Sequence, residues 1–391
     1  MNILKIAIDG LPRYHQPLVI SFLADQRVQE NHVEMVTNLF GNIYVNNAMA
    51  FIGINASGKT TALNVLVYAF KMMNSTPLND KSLPDILSGG KETVFDIHFY
   101  ANNAIYRLQS KILKAKNEDG VPHTRILSET LYSKKIDSTI SKSNVLNDAG
   151  FKLIRERGDV QEGGYLPDDI SIIIALNKQN NDKIKFINLT SLTNYNLLNP
   201  NLDTIPADII SLLDPTIEYI NLKRINGNVI YNLKFRNQDE ISDIKIEELE
   251  FYLSSGTIKG ISVFSASVQS LLSGGYLFID EIENHFNHEL VAELLRLFLD
   301  KRTNPKGATI VFTTHYSELL DELTRNDSVY ITRSAGGLTV DRLDSLLERN
   351  DLRKSEIYQS NFLGGTAPKY RAIVALHDKI EELFKNGSKS N

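Results

Sequence analysis

Apolar positions open the chain in strand fashion over Ile3–Ile8 and again over Leu18–Leu23, with Gly10 and Pro12 interrupting between them. A denser run, Val45–Ile54, ends at a glycine-rich turn. Thr60–Met73 then carries Leu63, Val65, Leu66, Val67, Ala69 and Phe70, a density that predicts a mostly buried helix. The polar stretch Asn74–Lys91, with its Pro, Gly and Asn residues, predicts a loop. Thr93–Tyr100, Ala104–Leu113 and Thr124–Tyr132 read as strands separated by the polar turns Asn102–Asn103 and Lys116–His123, which predicts an antiparallel meander. Lys134–Asp243 is less regular. Asp214–Pro215 breaks it, and Ile217–Phe235 predicts two strands about Asn226–Gly227, within what is expected to be a mainly helical insertion. From Ile246 the pattern becomes helix, strand, helix, strand, helix. The strands are Tyr276–Ile279 and Thr309–Thr313, and a helix over Glu289–Asp300 lies between them. That alternation predicts a parallel sheet covered by helices.

Composition narrows the chemistry. The 391 residues include no cysteine and no tryptophan. Thiol nucleophiles, disulfide frameworks and thiolate metal sites are therefore excluded. The length suggests two or three structural units. With 42 basic residues against 47 acidic ones the formal charge is −5, so a globally basic nucleic-acid clamp is not expected. No apolar run approaches the roughly 20 residues that span a bilayer, and the N-terminus shows no secretory pattern. The expectation is a soluble, cytoplasmic protein with no membrane partner.

Two segments carry specific chemistry. Gly53-Ile-Asn-Ala-Ser-Gly-Lys59-Thr60 fits the phosphate-loop pattern G-x-x-x-x-G-K-[ST], and it lies between an apolar strand and a helix as that loop requires. Its glycines let backbone N–H groups curl around phosphate oxygens, and the helix N-terminus adds partial positive charge. Lys59 would reach the β- and γ-phosphates of ATP, and the Thr60 hydroxyl would ligate Mg²⁺. The expected nucleotide contacts are Gly53, Asn55, Ala56, Ser57, Gly58, Lys59, Thr60 and Thr61. The second segment, Tyr276-Leu-Phe-Ile-Asp280-Glu281, is a buried strand ending in two acids. It would carry Asp280 to the carboxyl edge of the sheet to hold the Mg²⁺ shell, with Glu281 as general base for the attacking water.

More than half the chain separates Lys59 from Asp280, so something large is inserted between them. Leu253-Ser-Ser-Gly256-Thr257 lies upstream of the acidic strand, and Thr313-Thr314-His315 ends the following one. On these pieces the chain resembles the ABC-like ATPases of the SMC, RecF and OLD group. It is most similar to the stand-alone AAA-type branch found with bacterial abortive-infection and anti-phage systems. The strands VFDIHFY, AIYRLQSK and ILSETLY, the segments LLDPTI and IVFTTHYSELL, and the tail EIYQSNFLGGTAPKY share in the likeness.

The resemblance implies an α/β fold: an ABC-ATPase (P-loop NTPase) head with an antiparallel β subdomain and an inserted, mainly helical subdomain. Residues 1–133 would form the N-terminal lobe, 134–243 the insertion and 244–391 the C-terminal lobe. It further implies a head-to-tail homodimer, or a higher homo-oligomer, with ATP between the heads. Lys59, Thr60, Asp280 and Glu281 of one head would act on a nucleotide capped by Ser254, Ser255 and Gly256 of the other. His315 would contact the γ-phosphate, and Asn284 would lie in the loop crossing the interface. The signature reads LSSGT rather than the transporter form LSGGQ, and no glutamine can be assigned to the loop that usually senses Mg²⁺. A separate effector protein, a nuclease or toxin, is the implied partner.

His285 and His288 with Glu281 and Glu283 suggest a second metal less well than a solvated helix start. Arg107–Arg157 carries eleven basic residues against six acids, and so could contact nucleic-acid phosphates or simply be a solvated face. Asp341, Asp344, Glu348 and Asp351 lack the arrangement of a built-in nuclease. A RecF-like DNA-repair ATPase, a transporter subunit and an ATP-gated scaffold remain alternative readings.

Overall fold

A computed structural model describes residues 1–28, 35–157, 166–180, 183–191, 205–225, 228–284, 286–334, 336–347, 353–366 and 370–387. Two six-stranded sheets organise it. The first is antiparallel, with spatial order Leu18–Ser21, Asn2–Asp9, Glu92–Ala101, Ala104–Lys116, Pro122–Lys135 and Lys152–Glu156. The meander expected from the sequence is its centre, joined by a tight turn at Asn102 and Asn103, both with positive φ.

The second sheet runs Phe186–Leu189, Tyr276–Ile279, Thr309–Thr314, Ala48–Ile52, Val329–Arg333 and Thr339–Arg342. All neighbours are parallel except the last strand, which is antiparallel. Its central strands are buried on both faces, as their unbroken apolar runs require. Along Ala48–Ile52, Met49 and Phe51 enter one core while Ala48, Ala50 and Ile52 enter another. The helix Lys59–Met73 fills the first core between the two sheets. There Phe70 meets Tyr276 and Phe278 edge to face at centroid distances of 4.8 and 4.9 Å. Helices Ser255–Ser273 and His288–Leu299 supply the second core on the opposite face.

The insertion departs from expectation. Among its described residues are strands Lys152–Glu156, Phe186–Leu189, Ile217–Ile225, Asn228–Phe235 and Ile241–Lys245, against two short helices, Ile173–Asn180 and Ala207–Leu213. Its described residues are thus not mainly helical. The isoleucine-rich pair after Pro215 closes a three-stranded antiparallel sheet, while Phe186–Leu189 joins the central sheet beside Tyr276–Ile279. A four-residue apolar run gives no period from which pairing could be read. The small sheet packs on the first half of the helix Ser255–Ser273, where Ile258 and Ile261 meet Ile220, Tyr231 and Leu233. After Thr314 the chain forms a 3₁₀ turn, Ser317–Glu322, in place of a regular helix. Among the described residues, no helix is long and apolar enough to cross a membrane.

Candidate functional site

The strand Ala48–Ile52 delivers the glycine-rich loop to the carboxyl edge of the central sheet. Gly53 is required there by packing: a Cβ would lie 2.2 Å from both Ser57 Oγ and Thr332 Oγ1. Ser57 Oγ and Thr332 Oγ1 are themselves 2.6 Å apart and buried, which pins the loop to the neighbouring strand. Gly58 adopts φ 99°, a left-handed conformation that suits glycine, and begins the helix Lys59–Met73. Asn55 and Ala56 are exposed at the loop tip, and Thr61 is half-buried in the first helical turn. Lys59 folds back over the loop and donates to the carbonyls of Gly53 (2.9 Å) and Ile54 (3.4 Å), with Nζ 3.3 Å from His315 Nδ1. Burial lowers its ammonium pKa below the ordinary lysine value, against the pull of Glu281, Glu283 and Asp280.

The carboxylates arrive on the strand Tyr276–Ile279. Thr60 Oγ1 donates to Asp280 Oδ2 at 2.8 Å, and Thr313 Oγ1 donates to Asp280 Oδ1 at 2.5 Å. The backbone N–H of Glu281 donates to Thr313 Oγ1 at 2.7 Å. Glu281 itself has φ 48°, an uncommon conformation that turns the chain sharply out of the strand. Its carboxylate accepts from Asn284 Nδ2 at 2.7 Å and lies 3.6 Å from His315 Nε2. The backbone N–H of His315 in turn donates to Glu283 Oε1 at 2.5 Å. Lys59, Thr60, Asp280, Glu281, Asn284 and His315 are therefore one contiguous hydrogen-bonded and ionic group. A hydroxyl and a carboxylate converging at Thr60 and Asp280 form the hard-oxygen donor pair that suits Mg²⁺, so these residues fit that ion.

Ser254 caps the helix Ser255–Ser273, with its Oγ accepting from Thr257 N at 3.0 Å, and is exposed. Ser255 and Gly256 are half-buried in the first turn. One turn further, Lys259 borders a cavity of about 110 Å³ whose other polar lining is Thr190, Asp280, Glu281 and Asn284. Thr190 comes abreast of Asp280 because Leu189 pairs with Ile279. Thr190, Lys259 and Thr332 are the site residues that sequence reasoning did not single out, while Glu283 and Thr313 are noted there without the contacts they make in the site. The Thr313-Thr314 pair at a strand end was a usable signal; nothing local marks Thr190 or Lys259.

Six of the eleven basic residues of the stretch Arg107–Arg157 have partners within the chain. Arg107 pairs with Asp96 and Asp148, Lys111 with Glu92, Lys114 with Asp85 and Arg157 with Glu129. Lys134 and Lys142 donate to backbone carbonyls. Lys116, Arg125, Lys135, Lys152 and Arg155 are exposed. Asp341 and Asp344 are bound by Arg333 and Arg342, while Glu348 and Asp351 lie outside the described residues. His285 also lies outside them, as do Ala367–Lys369 of the glycine-rich tail.

Residues 48–321 match a family model described as "AAA domain, putative AbiEii toxin, Type IV TA system". No curated protein matches the chain.

Proposed function

The chain belongs to this AAA-domain family, an ABC-like ATPase group related to abortive-infection systems, and from that premise we propose that it hydrolyses ATP between two heads to control a separate effector. The observation that carries the reading is the junction of loop and carboxylates: Thr60 bonded to Asp280, with Glu281, His315 and Lys59 within one network. Lys59 would release the loop carbonyls and take the β- and γ-phosphates of ATP. Thr60 and Asp280 would hold Mg²⁺, whose charge neutralises phosphate oxygens when bound.

Glu281 would orient a water in line with the γ-phosphate and accept its proton, giving ADP and inorganic phosphate. Asn284 donates to that carboxylate, and His315 lies beside its other oxygen. Ser254, Ser255 and Gly256 of a second copy would cap the γ-phosphate with a hydroxyl and helix N-terminal amides. In this arrangement the lobes 1–133 and 244–391 form the head, with 134–243 inserted. ATP-dependent pairing of heads would then present or withhold a surface for a nuclease or toxin partner in anti-phage defence. Internal pairing of Arg107, Lys111, Lys114 and Arg157 leaves Lys116, Arg125, Lys135, Lys152 and Arg155 as the exposed cations through which a DNA-repair role would have to act.

The direct test is Glu281→Gln. ATP binding should persist while turnover falls by about 10²–10⁴, the usual range for a general base. Unchanged turnover would remove Glu281 from the reaction.

A further inference from the structure

We propose that Lys259 is a positioning residue for Glu281, through which the helix Ser255–Ser273 reports its own engagement to the base of the same head. The proposal rests on the hydrolytic reading above and deepens it. Its basis is the cavity of about 110 Å³ that Lys259, Val263, Thr190, Glu281 and Asn284 line together. Among the described residues the Lys259 side chain has no hydrogen bond or ion pair, although it is half-buried. Two carboxylates line the cavity with it, Asp280 and Glu281; Asp280 already accepts from Thr60 and Thr313, which leaves Glu281 as the acid for Lys259 to act on. Burial lowers the Lys259 pKa, and the negative charge of Glu281 opposes that shift.

The remaining ligands of Glu281 leave it under-restrained. One oxygen accepts from Asn284 at 2.7 Å, and the other has His315 at 3.6 Å, beyond hydrogen-bond reach. A cation across the cavity supplies the missing restraint. The same cation stands on the element proposed to cap the second copy's nucleotide. Ser255, Lys259 and Val263 are spaced four residues apart and share one face of the helix, and Lys259 lies about 6 Å along the axis from Ser255. The helix is held as one body by its buried Ile258, Ile261, Val263 and Phe264. A shift of its first turn onto a phosphate would carry Lys259, one turn on, relative to Glu281. Displacements of an ångström at a catalytic group are enough to change rates by about a hundredfold. Each head would thus ready its own base only when its helix is seated on the other nucleotide.

The experiment uses the full chain with ATP and Mg²⁺, measuring steady-state turnover and nucleotide affinity. Lys259→Met should lower kcat by about tenfold or more with KM for ATP unchanged, and Lys259→Arg should restore it. In the Glu281→Gln background, Lys259→Met should lower the residual single-turnover rate no further. A raised KM at unchanged kcat would make Lys259 a nucleotide contact and overturn the proposal. So would an equal fractional loss with and without Glu281. Lys259→Gln provides the same comparison if methionine unsettles the helix. Equal turnover by Glu281→Gln and the unsubstituted chain would instead overturn the base assignment on which the proposal rests.

Discussion

Gly53 illustrates how much a single position can be asked to do. It sits where the strand Ala48–Ile52 meets the loop, and the space a side chain would need is already occupied by Ser57 and by both the hydroxyl and carbonyl of Thr332. Gly53→Ala should therefore displace the loop. Overpacking of this kind costs about 1–3 kcal/mol, so a lower urea midpoint is expected together with loss of ATP binding measured by calorimetry. Normal affinity in a destabilised variant would separate packing from nucleotide contact. The motif made Gly53 legible in sequence, but only as part of a pattern. Its neighbour Thr332 lies 279 positions away, and nothing local announces it.

His98 is a second residue whose environment only packing creates. It is buried beneath Phe151, and neither ring nitrogen has a hydrogen-bond partner. Burial lowers its pKa to about 4, opposed by Asp96. The folded state thus resists a proton that the unfolded chain accepts near pH 6.5. Stability is fully present above that value and declines as pH falls toward about 4. Between pH 7 and pH 5 the loss should be about 1–2 kcal/mol by chemical denaturation. His98→Leu should flatten that dependence; an unchanged slope would assign it to other groups.

Among the elements, the helix Ser255–Ser273 does most to join the parts. Its N-cap is a local feature, since a serine before an apolar run predicts a helix start. Ser254→Ala should cost about 1 kcal/mol through the lost bond to the Thr257 N–H, read from equilibrium unfolding without nucleotide. Its effect on turnover should exceed what that loss explains if Ser254 also caps a phosphate. The strand Phe186–Leu189 shows the opposite case. Four residues within an irregular segment become the edge of the central sheet, and so bring Thr190 beside Asp280. A run that short has no periodicity to distinguish helix from strand, which is why the insertion reads as helical before its pairing is known.

For the whole molecule, the decisive fact is the order of the central sheet. Tyr276–Ile279, Thr309–Thr314 and Ala48–Ile52 lie side by side and parallel, so acids, hydroxyls and glycine-rich loop emerge at one edge. If the site is completed by a second copy, two inactive chains should complement each other. Lys59→Ala lacks the phosphate lysine, and Gly256→Asp sets a negative charge at the capping turn. Mixed in equal amounts, they form heterodimers with one intact site, so activity should recover to about a quarter of the unsubstituted chain's. No recovery in a mixture shown to exchange subunits would sink the head-to-tail arrangement.

The sequence by itself determined the segments whose chemistry is complete within a few residues. These are the glycine-rich turn between strand and helix, the apolar strand ending in Asp280 and Glu281, the serine-capped helix and the antiparallel meander. Each rests on backbone conformation, side-chain alternation or capping, which neighbours along the chain decide. The tertiary structure alone decided how those segments are completed. It placed Thr60 on Asp280, brought Lys259 and Thr190 to the cavity beside Glu281, neutralised Arg107 and Lys114, and buried His98. Those outcomes depend on strand order and on carboxylates and walls supplied from distant positions. Packing selects them, and local propensity carries no record of them.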